Sequence, residues 1–282
     1  MRQLLKSLFA NSLPKSLLLT HGRAAKNSGI EIALTFDDGP HPEQTPRLLD
    51  VLADAGVRGT FFVVGERAEQ HPHLIRRMAD EGHELGNHTW THSEPSQTSA
   101  AQFLDEVVRT RRLIQDLTGR DCRLTRPPKG SLTIGKALGL WRQQQTIALW
   151  NIDPKDFAMA DNSAMSQWVA GYPPQSGDIV LLHDNHSRAA VAVEHLAENT
   201  SLRFVTLSHF KSSIVSANVA AALLRGGANT VWPLSRIVRS SVTAPPRGSE
   251  AATFVELVDN LPQRSVVETA HSETEREVAN VC

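Results

Sequence analysis

An α/β fold built on a mostly parallel sheet is what this sequence predicts, and three observations predict it. Short apolar runs rich in branched and aromatic residues recur from Glu31 onward. Segments whose apolar residues repeat at helical spacing lie between them, and glycines or prolines punctuate the junctions. Residues 32–36 read as the first strand. Thr45 is then expected to cap a helix with Pro46 at its first position, its apolar face made by Leu48, Leu49, Val51 and Leu52 and its end marked by Gly56. Residues 60–64 read as a second strand, and a helix around Leu74, Ile75 and Met78 stops at Gly82. Residues 83–87 are expected to form a short third strand, followed by a strong helix over 101–117 closed by Gly119. Further strands are predicted at 122–125, 146–152, 178–182 and 203–207, with a helix over 187–198 before the last of them.

The ends have a different character. The chain has 282 residues, enough for one large domain or two modest ones and for a core that needs no disulfide or metal to hold it. Residues 1–19 are leucine-rich and begin with a base, but Lys6, Asn11-Ser12, Pro14 and Lys15 interrupt the apolar run. That pattern gives no clear signal peptide and no integral membrane segment; a short amphipathic segment packed on the domain and a cytoplasmic location are the expectations. From about Ser212 an alanine-rich patch, Gly226-Gly227, Pro245-Pro246 and a mixed polar end replace the strand-helix alternation. The expected division is an N-terminal segment (1–29), an α/β domain (30–211) and a partly ordered or disordered C-terminal appendage (212–282).

Composition narrows the partners. The 29 basic and 30 acidic residues nearly cancel, which argues against a general affinity for nucleic acid and against a polybasic attraction to membranes. A neutral glycan or small molecule suits this balance better. Cys122 and Cys282 are too far apart in sequence to suggest a disulfide framework or a thiolate metal site. Nothing in the sequence points to an oligomeric state.

Polar clusters follow predicted strands five times, at the sheet edge where sites of parallel α/β proteins assemble. The clusters are Asp37-Asp38-Gly39-Pro40, His88-Thr89-Trp90-Thr91-His92, Arg126-Pro127-Pro128-Lys129-Gly130, Asp153 with Asp156, and His183-Asp184. Each has a plain structural explanation. The Asp-Asp-Gly-Pro run makes a good turn, His183 could cap one, and Arg126 could pin a stiff surface loop. Taken together they suggest chemistry. Two adjacent carboxylates that point in different directions can share the work, one binding a metal and the other accepting a proton. His88 and His92 are four positions apart, which on one helical turn puts both imidazoles on one side. With a carboxylate from the first cluster they form a nitrogen-and-oxygen set that suits zinc or another divalent transition metal. His183 could serve as a general acid beside Asp153 or Asp156, and Arg126 could fix Asp37 by a bidentate contact.

The clusters, in this order, resemble the five motifs of the polysaccharide deacetylases, carbohydrate esterase family 4, whose shared region is the NodB homology domain. The likeness covers roughly residues 31–210. Thr35-Phe36-Asp37-Asp38-Gly39-Pro40 looks like the first motif, His88-Thr89-Trp90-Thr91-His92 the second, Arg126-Pro127-Pro128-Lys129-Gly130 the third, Asp153-Pro154-Lys155-Asp156-Phe157 the fourth, and Leu181-Leu182-His183 the fifth. The resemblance implies a distorted (β/α) barrel of about seven strands with its site at the C-terminal strand ends. It further implies Asp37 as general base, Asp38, His88 and His92 as metal ligands, Zn2+ as the ion, Arg126 orienting Asp37, and His183 as general acid tuned by an acidic residue of the fourth motif. Substrate contacts fall at Pro127, Pro128, Lys129, Gly130, Phe157 and Leu181. Two positions depart from the family pattern, Lys129 where an aromatic residue is common and Phe157 where tryptophan is. The lysine side chain is expected to face solvent while its backbone N–H binds an oxyanion, and Phe157 keeps an apolar wall.

The implied activity is metal-dependent removal of acetyl groups from an N-acetylated or O-acetylated sugar polymer. Two other readings accompany it: hydrolysis of amide bonds in small molecules on the same fold, and a glycan-binding module without catalysis.

Overall fold

The computed structural model describes residues 14–22 and 29–211, together with the backbone of Phe254–Val255. The expected appendage at 212–282, apart from that pair, and the reading of residues 1–13 lie outside the described residues.

Seven parallel strands form one continuous sheet. They are β1 (Leu18–Leu19), β2 (Ile30–Gly39), β3 (Thr60–Val63), β4 (Glu84–Asn87), β5 (Leu124–Thr125), β7 (Thr146–Ala148) and β8 (Asp178–His183), in the order β1-β7-β5-β4-β3-β2-β8. β9 (Leu202–Phe204) joins the lower end of β2 through Ile30 to Ile32, on the edge opposite β8 and below the stretch that β3 occupies. A two-residue strand β6 (Leu132–Thr133) pairs antiparallel with β10 (Phe254–Val255). The helices are α1 (Gln44–Asp54), α2 (Gly65–Gln70), α3 (Pro72–Asp80), α4 (Ala100–Thr118), α5 (Ile134–Arg142), α6 (Asn162–Gly171), α7 (Arg188–Ala197) and α8 (Leu207–Lys211).

The sheet curls into a distorted barrel without closing as a ring of strands. Across the seam an isolated parallel bridge joins Ile152 to Val180, and Gly22 N–H donates to Gly177 O at 2.7 Å. β1 fills the edge beside β7, with Leu18 opposite Ile147 and Leu19 opposite Ala148. Residues 14–22 thus pack on the domain, with Leu18 and Leu19 buried in the inner cluster.

Period-two alternation sorts the strand residues. On β2, Ile32, Leu34 and Phe36 pack outward with Leu48, Leu49 and Leu52 of α1 and Val193 of α7 in one core cluster. Ala33 belongs to the inner cluster with Phe62, Leu124, Ile147, Ile179 and Leu181. The same alternation therefore points Thr35 and Asp37 inward, and the register pairs Thr35 with Leu181 and Asp37 with His183. Both chemistry-bearing ends thus lie over the barrel interior.

Several boundaries differ from expectation. Thr45 is not a cap: α1 starts at Gln44, and the Thr45 hydroxyl donates to Asp184 Oδ2 at 2.8 Å while accepting His41 N–H at 2.7 Å. His41 Nδ1 takes over the capping, accepting the N–H groups of Glu43 and Gln44 at 3.2 Å. The strand expected over 146–152 regularises only at Thr146–Ala148, because the following residues swing across the seam to β8. α4 matches its signals, with a Ser99/Gln102 capping box and Gly119 in the left-handed conformation after it. Helices α2, α5, α6 and α8 were not foreseen, and the strand expected over 203–207 ends at Phe204. Among the described residues no helix is long and apolar enough to cross a membrane.

β4 and β3 pack closely enough to give a test. A Cβ on Gly86 would lie 2.4 Å from the Phe62 ring, which in turn supports the Arg126 guanidinium 4.1 Å from its centroid. Gly86→Ala should lose about 1–3 kcal/mol of stability by overpacking. Urea denaturation measures this, and an unchanged midpoint would contradict the packing described.

Candidate active site

Successive side chains on a strand alternate, so Asp38 should point away from Asp37. It does not, because the β2–β3 register shifts between Asp37 and Gly39, and Asp38 adopts a left-handed conformation with φ 72°. This bulge brings both carboxylates to one imidazole. His88 Nε2 lies 3.7 Å from Asp37 Oδ2 and 3.4 Å from Asp38 Oδ1. The expected divergence of the two carboxylates is thereby corrected: they share one space. Gly39 is required next to the bulge, since a Cβ there would sit 1.9 Å from Asp184 Oδ2. Asp184 closes the same corner from β8, its N–H donating to Asp37 O at 3.2 Å. Burial pushes the Asp184 carboxyl up to about 7, against the pull of the Thr45 hydroxyl.

His88 and His92 meet through a loop, not through the helical turn that their spacing suggested. Thr89 and His92 both have positive φ, 68° and 56°, and the two rings come to a centroid separation of 4.9 Å. The Glu106 carboxylate on α4 holds this loop by accepting the N–H groups of Trp90 and Thr91 at 3.0 Å. Thr110 Oγ1 and Gly65 N–H both donate to Thr89 O.

His92 Nε2 lies 3.2 Å from Asp38 Oδ1, and ligand atoms of Asp38, His88 and His92 all fall within 4.8 Å of one another. The His88 Nδ1 atom faces the Arg126 carbonyl at 2.7 Å, and because a carbonyl only accepts, Nδ1 carries the proton and Nε2 faces inward. Asp38 Oδ1 is buried without a hydrogen-bond partner. An orphaned carboxylate oxygen facing two imidazole nitrogens, with no sulfur, is a donor set that fits a divalent cation. The electrostatics agree. Burial opposes ionisation of Asp38, but the imidazoles of His88, His92 and His183 outweigh it and hold the carboxyl below its ordinary range. Burial likewise disfavours a charged His88, yet Asp37 and Asp38 raise its pKa. His92 is lowered by burial and by His88.

Arg126 is fully buried, and four of its five guanidinium N–H groups meet acceptors. Nη1 donates to Asp37 Oδ1 at 2.7 Å and to Thr35 Oγ1 at 2.9 Å, Nε to Ala148 O at 3.2 Å, and Nη2 to Leu149 O at 3.1 Å. The contact with Asp37 is therefore single, not the bidentate fork expected, because Nη2 is spent on the strand beyond β7.

Of the two acidic candidates for His183, Asp156 is the partner. Its Oδ1 lies 2.6 Å from His183 Nδ1 and its Oδ2 accepts the His183 N–H at 2.8 Å. Asp153 instead accepts the Lys155 N–H at 2.8 Å and pairs with Lys155 Nζ at 3.0 Å, so it shapes its own turn. Phe157 meets the His183 ring edge-on at 5.6 Å while remaining 54% exposed, which places an apolar wall at the mouth. Leu181 is buried within the barrel below His183. In the third cluster Pro127, Pro128 and Gly130 are buried around a short turn, and Lys129 stands at φ 54° with its side chain outward, paired with Glu94 at 2.5 Å. Thr35, Glu106 and Arg67, whose guanidinium donates to Asp38 O, support the site without having been picked out. Arg67 and Glu106 sit on helix faces where a charged residue is ordinary.

The model of the polysaccharide deacetylase family matches residues 24–139. A peptidoglycan-N-acetylglucosamine deacetylase from Bacillus cereus is 33% identical over 193 residues, which cover 65% of this chain and 69% of the relative. The chain belongs to the polysaccharide deacetylase family. A chitooligosaccharide deacetylase from Bradyrhizobium is 40% identical over 157 residues, 55% of this chain and 71% of the relative. A solved peptidoglycan N-acetylglucosamine deacetylase superposes with a TM-score of 0.64 at 28% identity, covering 70% of this chain and 94% of that one. By contrast, the chain spans only 38% of the Listeria monocytogenes peptidoglycan deacetylase that it also matches. Membership of the polysaccharide deacetylases bears out the expected hydrolase class and the distorted barrel. The family is one of metalloenzymes, and Asp38, His88 and His92 are where this deacetylase gathers metal-ligating groups.

The His183–Asp156 pair yields a test that needs no substrate. Burial disfavours the imidazolium, but the Asp156 hydrogen bond and charge, helped by Asp37 and Asp38, raise the His183 pKa from 6.5 to about 9. A raised histidine stabilises the fold fully below the free value of 6.5 and loses that contribution as pH rises through about 9. In Asp156→Asn the ring should titrate nearer 6.5, and the stability lost between neutral and alkaline pH should shrink. NMR titration of the His183 ring follows this, and an unshifted titration would refute the assignment.

Proposed function

We propose that this polysaccharide deacetylase hydrolyses the N-acetyl groups of amino-sugar units in a glycan polymer, using a zinc ion held by Asp38, His88 and His92. The observation that carries the reading is a convergence: a carboxylate backed by a buried arginine, a two-histidine, one-carboxylate cluster and a carboxylate-backed histidine share one barrel end. When bound, the cation supplies Lewis acidity to the acetyl carbonyl and to the attacking water. The remaining steps fall to this chain's own residues. Asp37, held by Arg126 on one oxygen, takes the proton from the water as it attacks the acetyl carbon. The developing oxyanion receives the backbone N–H of Lys129, whose side chain is committed to Glu94. His183 then donates its Nε2 proton to the departing sugar nitrogen, Asp156 keeping Nδ1 fixed and the ring charged until transfer. Phe157 and the third-cluster turn border the mouth, and Leu181 lines the interior beneath.

Amide hydrolysis is favoured over ester hydrolysis by His183. An amine leaves only when protonated, and a histidine whose pKa is raised to about 9 remains a reliable proton donor at neutral pH. The relatives named above act on N-acetylglucosamine in peptidoglycan and on chitooligosaccharides.

Acetate release from chitin oligomers, peptidoglycan and acetylated xylan, with the ion stripped and replaced, tests the proposal in one experiment. The apo protein should release nothing and Zn2+ should restore release from the N-acetylated substrates. Asp37→Asn should keep the ion and lose roughly two to four powers of ten in turnover, whereas His88→Ala should lose both. Normal turnover by Asp37→Asn, or release from xylan alone, would end the assignment.

A further inference from the structure

Of the three groups that gather at the candidate metal site, His92 has the least scaffold beneath it. Asp38 belongs to β2, and His88 follows β4 directly with its Nδ1 fixed by the Arg126 carbonyl. His92 lies four residues further on, at φ 56°, in a segment that stays irregular until Ala100 opens α4. Such a segment keeps one conformation only if outside contacts offset the entropy of ordering it. Glu106 anchors it before His92, through the N–H groups of Trp90 and Thr91.

Beyond His92 the contacts come from the third-cluster side of the site. The Lys129–Glu94 pair is 64% and 45% exposed, and an exposed ion pair holds weakly. Lys136 on α5 is different. It is 1% exposed, and its Nζ donates to Pro95 O at 2.7 Å and to Thr98 Oγ1 at 2.8 Å while standing 5.0 Å from the Phe103 ring centroid. Burial draws the lysine pKa down, and the charge of Glu106 opposes this.

Burying an ammonium is unfavourable unless it is well partnered. The contact between α5 and α4 is otherwise apolar: Ala137 and Leu140 are buried in one cluster with Phe103, and a Cβ on Gly139 would lie 2.3 Å from Leu104. An apolar side chain at position 136 would complete that contact without desolvating a charge. It would not satisfy the Pro95 carbonyl or hold the loop.

Resting on the metal-site reading above, we infer that Lys136 is a positioning residue for His92: its buried ammonium ties the 93–98 loop to α5 and so keeps the His92 ring on the site shared with Asp38 and His88. The segment carrying His92 is strung between a carboxylate on α4 and an ammonium on α5. Releasing the ammonium end frees the ring to leave Asp38 Oδ1, from which its Nε2 is 3.2 Å away.

The test measures zinc affinity of the full chain by chelator competition in wild type, Lys136→Met, His92→Ala and the double variant. Lys136→Met should weaken binding about tenfold. In the His92→Ala background it should change nothing further, since the residue it positions is gone. Thr98→Val, which removes one acceptor and keeps the lysine, is the milder variant for the same two backgrounds and should lose less in the same direction. Affinity unchanged in both variants, or an equal loss with and without His92, would overturn the inference. The metal-free protein separates this inference from the reading it rests on. Contacts between the His88 and His92 rings, whose centroids are 4.9 Å apart, should be visible by NMR in wild type and lost in Lys136→Met. That loss in a protein whose wild type binds no zinc would sink the metal-site reading and keep the positioning role. Tight zinc binding with the ring contacts intact in Lys136→Met would sink the role and keep the site.

Discussion

A guanidinium buried away from water needs a partner for nearly every N–H, and the loss of one leaves an uncompensated charge. Arg126 meets that demand with four acceptors on two segments: Asp37 and Thr35 on β2, and the carbonyls of Ala148 at the end of β7 and of Leu149 just after it. Its own backbone enters the arrangement too, accepting His88 Nδ1 and donating to Asn87 O. One residue therefore fixes the rotamer of the proposed base, the orientation of a proposed ligand and the spacing between strands that are not neighbours in the sheet. The Phe62 and Trp150 rings, 4.1 and 5.4 Å from the guanidinium carbon, enclose it. Rigidity at this end of the barrel follows from the cost of leaving that charge unpaired.

The second constraint is backbone strain at chosen points. Asp38, Thr89, His92 and Lys129, all in the candidate site, are non-glycine residues with positive φ. Such conformations persist only where surrounding contacts over-determine them. Here the contacts are visible: Arg67 on the Asp38 carbonyl, Thr110 and Gly65 on the Thr89 carbonyl, and Glu106 on the loop amides. Regular strand and loop geometry would scatter Asp38 and His92, which these conformations bring together with His88.

Those two constraints also explain what could be read in the residues alone. The strand-helix alternation was legible because apolar periodicity reports which face is buried, and β2 and β8 carry it plainly. All five clusters contribute to the gathered groups, since each follows a segment that ends at one edge of the barrel. Side-chain direction was not legible. The spacing of His88 and His92 suggested a helical turn, but the loop is held by Glu106 from a helix that starts eight residues after His92. The choice between Asp153 and Asp156 likewise turned on a short turn in which Lys155, at positive φ, folds back on Asp153 and leaves Asp156 to β8. β1 escaped notice because a two-residue strand has no period to detect.

Opposite proton requirements are reconciled within a few ångströms by giving each group its own buried partner of opposite charge. Asp37, the proposed acceptor, is paired with a guanidinium that cannot give up its proton; His183, the proposed donor, is paired with the fully buried Asp156. The two strands carrying them are adjacent and in register, with Asp37 opposite His183. Left to each other, a carboxylate and an imidazole in that position would form one ion pair and neutralise both functions. Arg126 and Asp156 prevent this by competing for each, so that the proton can cross the site only by way of a substrate placed between them. The ionic pairs stabilise a separation of charge, and that separation is what an acid-base pair acting on one bond requires.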